Sequence, residues 1–269
     1  MPGTSENYCE LSVSGIGVRL DCDHAQLNRK LCERYQLFPA AGDIQLEGRV
    51  EWVSPASLSS ISPPAIAFQD GVLHFTTPGY EGSIDIEKSK ATLSFSSSHP
   101  VEEVDYFLRA IYALLLFHSG GVMIHGAGIL RHRRAYLFIG HSGSGKTTIA
   151  RLSEADLVLN DDLIAVTPDG DGWRACATPF WNPTQVQPNP TSGPLVAMFH
   201  LVQAKRITVK AMSPGRSLAE LLANLPVISA DPGRSVSILD RALDLLRDVP
   251  AYQLHFLPDR SFWQVVEVL

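Results

Sequence analysis

The residues richest in chemistry lie at 140–147. Gly140-His141-Ser142-Gly143-Ser144-Gly145-Lys146-Thr147 fits G-x-x-x-x-G-K-[ST] at every defined position. An apolar run, Tyr136–Ile139, leads in, and a short helix is expected from Thr147 to about Ser153. Glycines let the backbone curl so that successive N–H groups face phosphate oxygens. The helix N-terminus adds partial positive charge. Lys146 is placed to reach the β- and γ-phosphates, and the Thr147 hydroxyl to ligate Mg²⁺. Residues 140–147 with Thr148 therefore read as a phosphate cradle for ATP and Mg²⁺. His141 occupies a variable position and lines the loop.

Two further signals flank this loop. Asp161-Asp162 ends an apolar run, 156–160, one short helix after Lys146. Adjacent carboxylates repel, so a buried strand end would hold them only beside a cation. An exposed turn is the alternative. Ligands of open α/β sheets gather at strand ends, and phosphoryl transfer needs a metal carboxylate and a base. His125, in Met123-Ile124-His125-Gly126-Ala127, lies on the strand before the loop. A strand pair ending beside the loop could bring it to the γ-phosphate. A purely structural histidine is the other reading.

These residues need a scaffold, and composition supplies one. The chain has 269 residues, 45% hydrophobic and 19% charged, enough for a packed core and against wholesale disorder. A net charge of −6 argues against a nucleic-acid partner. The longest apolar stretch, near Ile111–Phe117, is too short for a membrane span, and the polar start MPGTSENYCE is unlike a signal peptide. Cys9, Cys22, Cys32 and Cys176 show no metal spacing and read as reduced thiols of a cytoplasmic protein.

Residues 1–99 read as a β-rich section and 100–269 as the nucleotide-binding domain. Alternation marks strands over Glu10–Leu20 and Asp43–Val53, with Ile44, Leu46, Val50 and Trp52 on a buried face. Asp70-Gly71 predicts a type I′ turn between 65–69 and 72–76. Gly82–Glu87 and Ala91–Ser96 form another strand pair, and 54–64 a loop. Val101–His118 has helical spacing, with Pro100 in its first turn. Val122–Ile129 and Ala135–Ile139 are strands joined by Arg131-His132-Arg133-Arg134, a solvated hairpin tip. Further strands are expected at 173–177, 195–201, 206–211, 251–256 and 262–268, and helices at 218–225 and 236–246. The fold class is mixed α/β.

His125-Gly126, the loop at 140–147 and Asp161-Asp162 together resemble the catalytic domain of bacterial HPr kinase/phosphorylase. Thr178-Pro179-Phe180-Trp181 and 194–201 are similar to smaller HPr-kinase-related proteins, including lasso-peptide kinases. The resemblance implies a P-loop fold akin to phosphoenolpyruvate carboxykinase. It implies that Asp162 takes the proton of an acceptor serine, that Asp161 helps hold the metal, and that His125 stands near the transferred phosphate. The stretch 174–179 offers no carboxylate where the family has an acidic metal ligand, and Arg206 and Arg216 are candidates for its later arginine. The expectation is an ATP- and Mg²⁺-dependent kinase of a serine on a protein or peptide. A small-molecule kinase and a nucleotide-binding regulator remain open, as does homo-oligomer formation.

Overall fold

Alternating apolar and polar residues fold the N-terminal section into sheet. The computed structural model of the chain describes residues 8–55, 58, 65–77, 79–181, 185–228 and 231–269. Most of the expected loop at 54–64 lies outside the described residues. The chain divides into Met1–His118 with Ala230–Gly233, and Ser119–Ser229 with Arg234–Leu269. The fold is mixed α/β, with two mixed sheets and six α-helices among the described residues. None of these helices is long and apolar enough to cross a membrane.

The first unit's sheet runs β1 (Tyr8–Val13), β2 (Ile16–Cys22), β3 (Ile44–Trp52), β7 (Lys90–Phe95), β6 (Tyr80–Asp85), β5 (Val72–Thr77), β4 (Ala65–Gln69). Strand β3 is parallel to both β2 and β7, and the other pairs are antiparallel. Asp70 and Gly71 both have positive φ, as a type I′ turn requires. Leu46 and Val50 are buried as expected, but Trp52 is 37% exposed. It ends β3 and stacks its ring on Phe95 instead of entering the core.

Helix α1 (Ala25–Tyr35) interrupts a stretch expected to be mostly strand. Its sequence is polar, but Leu27, Leu31 and Tyr35 recur every four residues and are buried. His24 caps it, Nδ1 accepting from the Leu27 N–H. Helix α2 (Pro100–His118) belongs to this unit, so the division falls after His118, against an expected 99/100. Phe107 meets Phe75 edge-on, and the Tyr112 hydroxyl donates to the Leu11 and Ile16 carbonyls. Buried Asp105 binds Arg34, Arg109 and the Tyr35 hydroxyl, tying α1 to α2.

The second unit is built on two long strands, β8 (Val122–Arg131) and β13 (Ser192–Gln203). Between them lies β9 (Arg134–Ile139), antiparallel to β8 and parallel to β13. On the far side of β13 comes β15 (Ala251–Phe256), also parallel, edged by β14 (Thr208–Ala211). Strands β10 (Leu157–Asn160) and β11 (Leu163–Asp169) both run antiparallel to β8. β11, not anticipated from sequence, continues to β12 (Gly172–Cys176), which returns to β13.

Helix α3 (Lys146–Leu152) packs its Ile149 and Ala150 into a core with Phe138, Phe199 and Phe256. The expected strand at 262–268 is instead a 3₁₀ turn, Arg260–Phe262, and helix α6 (Trp263–Val266). Asp259 caps that turn, accepting from the Ser261 N–H. A short apolar run cannot distinguish strand from buried helix by period. Trp263 Nε1 donates to Ser153 Oγ at the end of α3. The hairpin tip is solvated at His132, Arg133 and Arg134 as expected, but Arg131 is half-buried, held by Asp156 and Glu267 and stacked over Trp263. Helices α4 (Pro214–Ala223) and α5 (Ser235–Asp248) complete the unit.

Candidate functional site

The parallel strands β9, β13 and β15 end at the glycine-rich loop. β9 stops at Ile139, and Gly140–Gly145 turn the chain into α3. Gly145 has φ 111°, and a Cβ there would come within 2.5 Å of the Phe256 ring at the end of β15. Only glycine lets the chain enter the helix at that point. Gly143, at φ 78°, closes the loop tip. The Ser144 N–H donates to the His141 carbonyl, so a tight turn shapes the loop from within.

Lys146 is 8% exposed and its ammonium donates to the Gly140 and His141 carbonyls, at 2.7 and 3.2 Å. Burial pushes its pKa down, and Asp162 opposes that shift. A buried ammonium satisfied only by neutral carbonyls is matched to an anion.

The aspartates arrive on the other side of β8. β10 and β11 form one antiparallel run along β8, interrupted by a register shift and by Asp161-Asp162. The Gly126 N–H donates to the Asp162 carbonyl at 2.9 Å. Gly126 in turn pairs with Ile139, the residue before the loop. The aspartate pair thus stands one strand away from the loop's start.

The two carboxylates differ sharply. Asp161 is 2% exposed, and neither oxygen has a hydrogen-bond partner. Burial is the main force raising its pKa, with the Asp162 charge adding to it. The Val186 backbone and the Thr147 side chain act against that rise without closing a hydrogen bond onto the carboxylate. Asp162 has its Oδ1 3.1 Å from His125 Nδ1. At that distance Nδ1–H donates to the carboxylate, leaving Nε2 as the ring's second polar atom.

These groups border one cleft of about 330 Å³. His125, Lys146, Thr147, Thr148, Asp161 and Asp162 all line it, with Ser142, Gly143 and Gly145 at the loop side. Gly140, His141 and Ser144 shape the loop but do not line the cleft, and Ser144 is buried. No family model matches the chain, and no curated protein matches it either. The cleft's own chemistry therefore carries the functional reading.

Three polar residues of the site have no spacing signal. Gln185 and Gln203 line the cleft, and Gln203 Nε2 donates to the Gly143 carbonyl at 2.8 Å. Glutamine spacing gives no motif that would mark either. Asn160 accepts from the Asp162 N–H at 2.7 Å. An asparagine before a turn is a known turn former, and that was the one available signal. Neither Arg206 nor Arg216 is among the described lining residues. Arg216 faces Glu220 one turn along α4.

The donor set fits a magnesium nucleotide. A buried carboxylate without a hydrogen bond, beside a hydroxyl, suits a hard divalent cation. Asp161 and Thr147 would hold it, and Lys146 with the loop's backbone would hold the phosphates.

Proposed function

We propose that this chain is an HPr-kinase-like enzyme. It transfers the γ-phosphoryl group of ATP, with Mg²⁺, to a serine hydroxyl of a protein or peptide. The observation that carries this reading is Asp161, a buried carboxylate with no hydrogen bond, in one cleft with Lys146, Thr147 and the Asp162–His125 pair.

Each residue has one task. Lys146 gives up the Gly140 and His141 carbonyls for phosphate oxygens. A divalent cation, when bound, would supply charge neutralisation on the phosphates. Asp161 and Thr147 would hold that cation at the start of α3. Asp162 takes the proton of the acceptor hydroxyl as its oxygen bonds to the γ-phosphorus. The bond from that phosphorus to the bridging oxygen breaks, and ADP leaves with the electron pair. His125 fixes the Asp162 carboxylate through Nδ1. Positioning and fixed charge supply most of the acceleration.

The test is transfer of γ-labelled phosphate from ATP with Mg²⁺ into the host's low-mass proteins and peptides. Wild type is expected to label a band that Asp162→Asn does not. ATP binding by wild type with no labelled product would contradict the reading.

A further inference from the structure

The Thr178–Trp181 segment takes no part in the cleft chemistry above, yet it is hydrogen-bonded to the residues on either side of the aspartate pair. Asn160, Thr178 and Phe180 are each 0% exposed. Asn160 Nδ2 donates to the Thr178 carbonyl at 2.9 Å, the Phe180 carbonyl at 3.1 Å and Thr178 Oγ1 at 3.2 Å. Asn160 Oδ1 accepts from the backbone N–H groups of Asp162 and Leu163, at 2.7 and 3.2 Å. Thr178 Oγ1 donates to the Leu163 carbonyl at 2.7 Å.

We propose that Asn160 and Thr178 are positioning residues that hold the Asp161-Asp162 bend in register with His125 and the phosphate loop. This rests on the kinase reading.

The argument begins with the interrupted ladder. Asp161 and Asp162 form a bend between β10 and β11, and buried backbone groups that leave the ladder must find other partners. Asn160 supplies an acceptor for two of the N–H groups at this bend, those of Asp162 and Leu163. The Asp162 peptide is then fixed at both ends. Its N–H is held by Asn160, and its carbonyl by the Gly126 N–H on the strand that carries His125. Asp161 sits between these two anchored residues, which holds its backbone without occupying its carboxylate.

The choice of polar groups points the same way. An apolar pair of similar shape can replace a buried hydrogen-bonded pair at little cost in stability. A fully connected buried network instead fixes one geometry. Here that geometry sets the carboxylates, and displacing a catalytic group by about 1 Å can cost 10²-fold in rate. The same segment leads on to Gln185, which lines the cleft, and to Val186, whose backbone acts on Asp161.

The test compares Thr178→Val, which removes the hydroxyl at nearly constant shape, with Thr178→Ser, which keeps it. Three quantities are measured on the full chain. They are ATP binding without divalent metal, Mn²⁺ binding with a non-hydrolysable ATP analogue, and kcat. Thr178→Val is expected to keep metal-free ATP affinity within about twofold. Its Mn²⁺ affinity should fall about tenfold and its kcat about 10- to 100-fold, with Thr178→Ser close to wild type. Asn160→Ser keeps an oxygen for the Asp162 N–H and loses both amide donors. It is read the same way if Thr178→Val does not fold. Wild-type Mn²⁺ affinity and kcat in the variant would overturn the clamp, as would a parallel loss of ATP affinity. Absence of nucleotide binding by wild type would instead overturn the kinase reading, and the clamp with it.

Discussion

Of two charged concavities, one in each unit, the larger is not the one that carries the chemistry. The first unit has a groove of about 550 Å³ on its sheet, lined by Arg19, Arg49, Lys90, Asp21 and Glu47 among others. Its three basic residues are all paired with carboxylates in the open. Arg19 pairs with Glu10, Lys90 with Glu47, and Arg49 with Glu51. The second unit's cleft is about 330 Å³, yet it holds a carboxylate that is 2% exposed and without a hydrogen bond. Exposed ion pairs are screened and leave little energy for a ligand to recover. A buried uncompensated charge stores a desolvation cost that a cation of the right size relieves. Unmet electrostatics, more than volume, marks the binding cleft.

That contrast can be broken by substitution, and the expected effects fall in order. Lys146→Ala removes the cleft's buried cation. Phosphoryl transfer should drop at least about 10²- to 10³-fold while the fold persists, as measured by turnover and melting temperature. Unchanged turnover would end the phosphate-loop assignment. Asp162→Asn should keep ATP binding and lower kcat about 10²- to 10⁴-fold, the span of a lost general base. His125→Ala should lower kcat by less, since His125 acts through Asp162.

Asp161→Asn sharpens the comparison through stability. The folded protein raises the Asp161 pKa, chiefly by burial. Below the ordinary aspartate range the residue is protonated in both folded and unfolded chains and costs nothing. As pH rises, the unfolded chain ionises first, so stability falls until pH passes the raised folded value. Metal-free wild type should therefore lose stability across that window. Asp161→Asn should flatten the loss, as read from denaturant midpoints at several pH values. The smallest effect is expected in the first unit. Lys90→Ala opens an exposed pair and should leave phosphoryl transfer within about twofold.

The legible parts of the fold were those with a local cause. The β8–β9 hairpin, the glycine-rich loop and α3 follow from an apolar period and a motif whose backbone demands glycine, as Gly145 against Phe256 shows. Helix α2 follows from its spacing and its first-turn proline. The misread parts depend on distant partners. Arg131 left the solvent because Asp156, Glu267 and Trp263 converge on it from elsewhere in the chain. The 262–268 run became helical because Trp263 reaches Ser153 and the core under α3. Helix α1 hid behind a polar sequence whose three buried apolar or aromatic residues, Leu27, Leu31 and Tyr35, only make sense against the sheet. In the site, residue types named Lys146, Asp161 and Asp162. Asn160 acts by joining its own turn to the distant Thr178–Phe180 stretch, and Gln203 through a hydrogen bond to the loop 60 residues away, which no spacing encodes.

The most direct measurement is thermal stabilisation by ATP, with and without Mg²⁺, in wild type and Asp161→Asn. The account predicts that wild type gains a further rise in melting temperature when Mg²⁺ is added to ATP. Asp161→Asn should keep the rise from ATP alone and lose the Mg²⁺ increment. An equal Mg²⁺ increment in the two proteins would show that the buried carboxylate does not hold the cation, and would contradict the account.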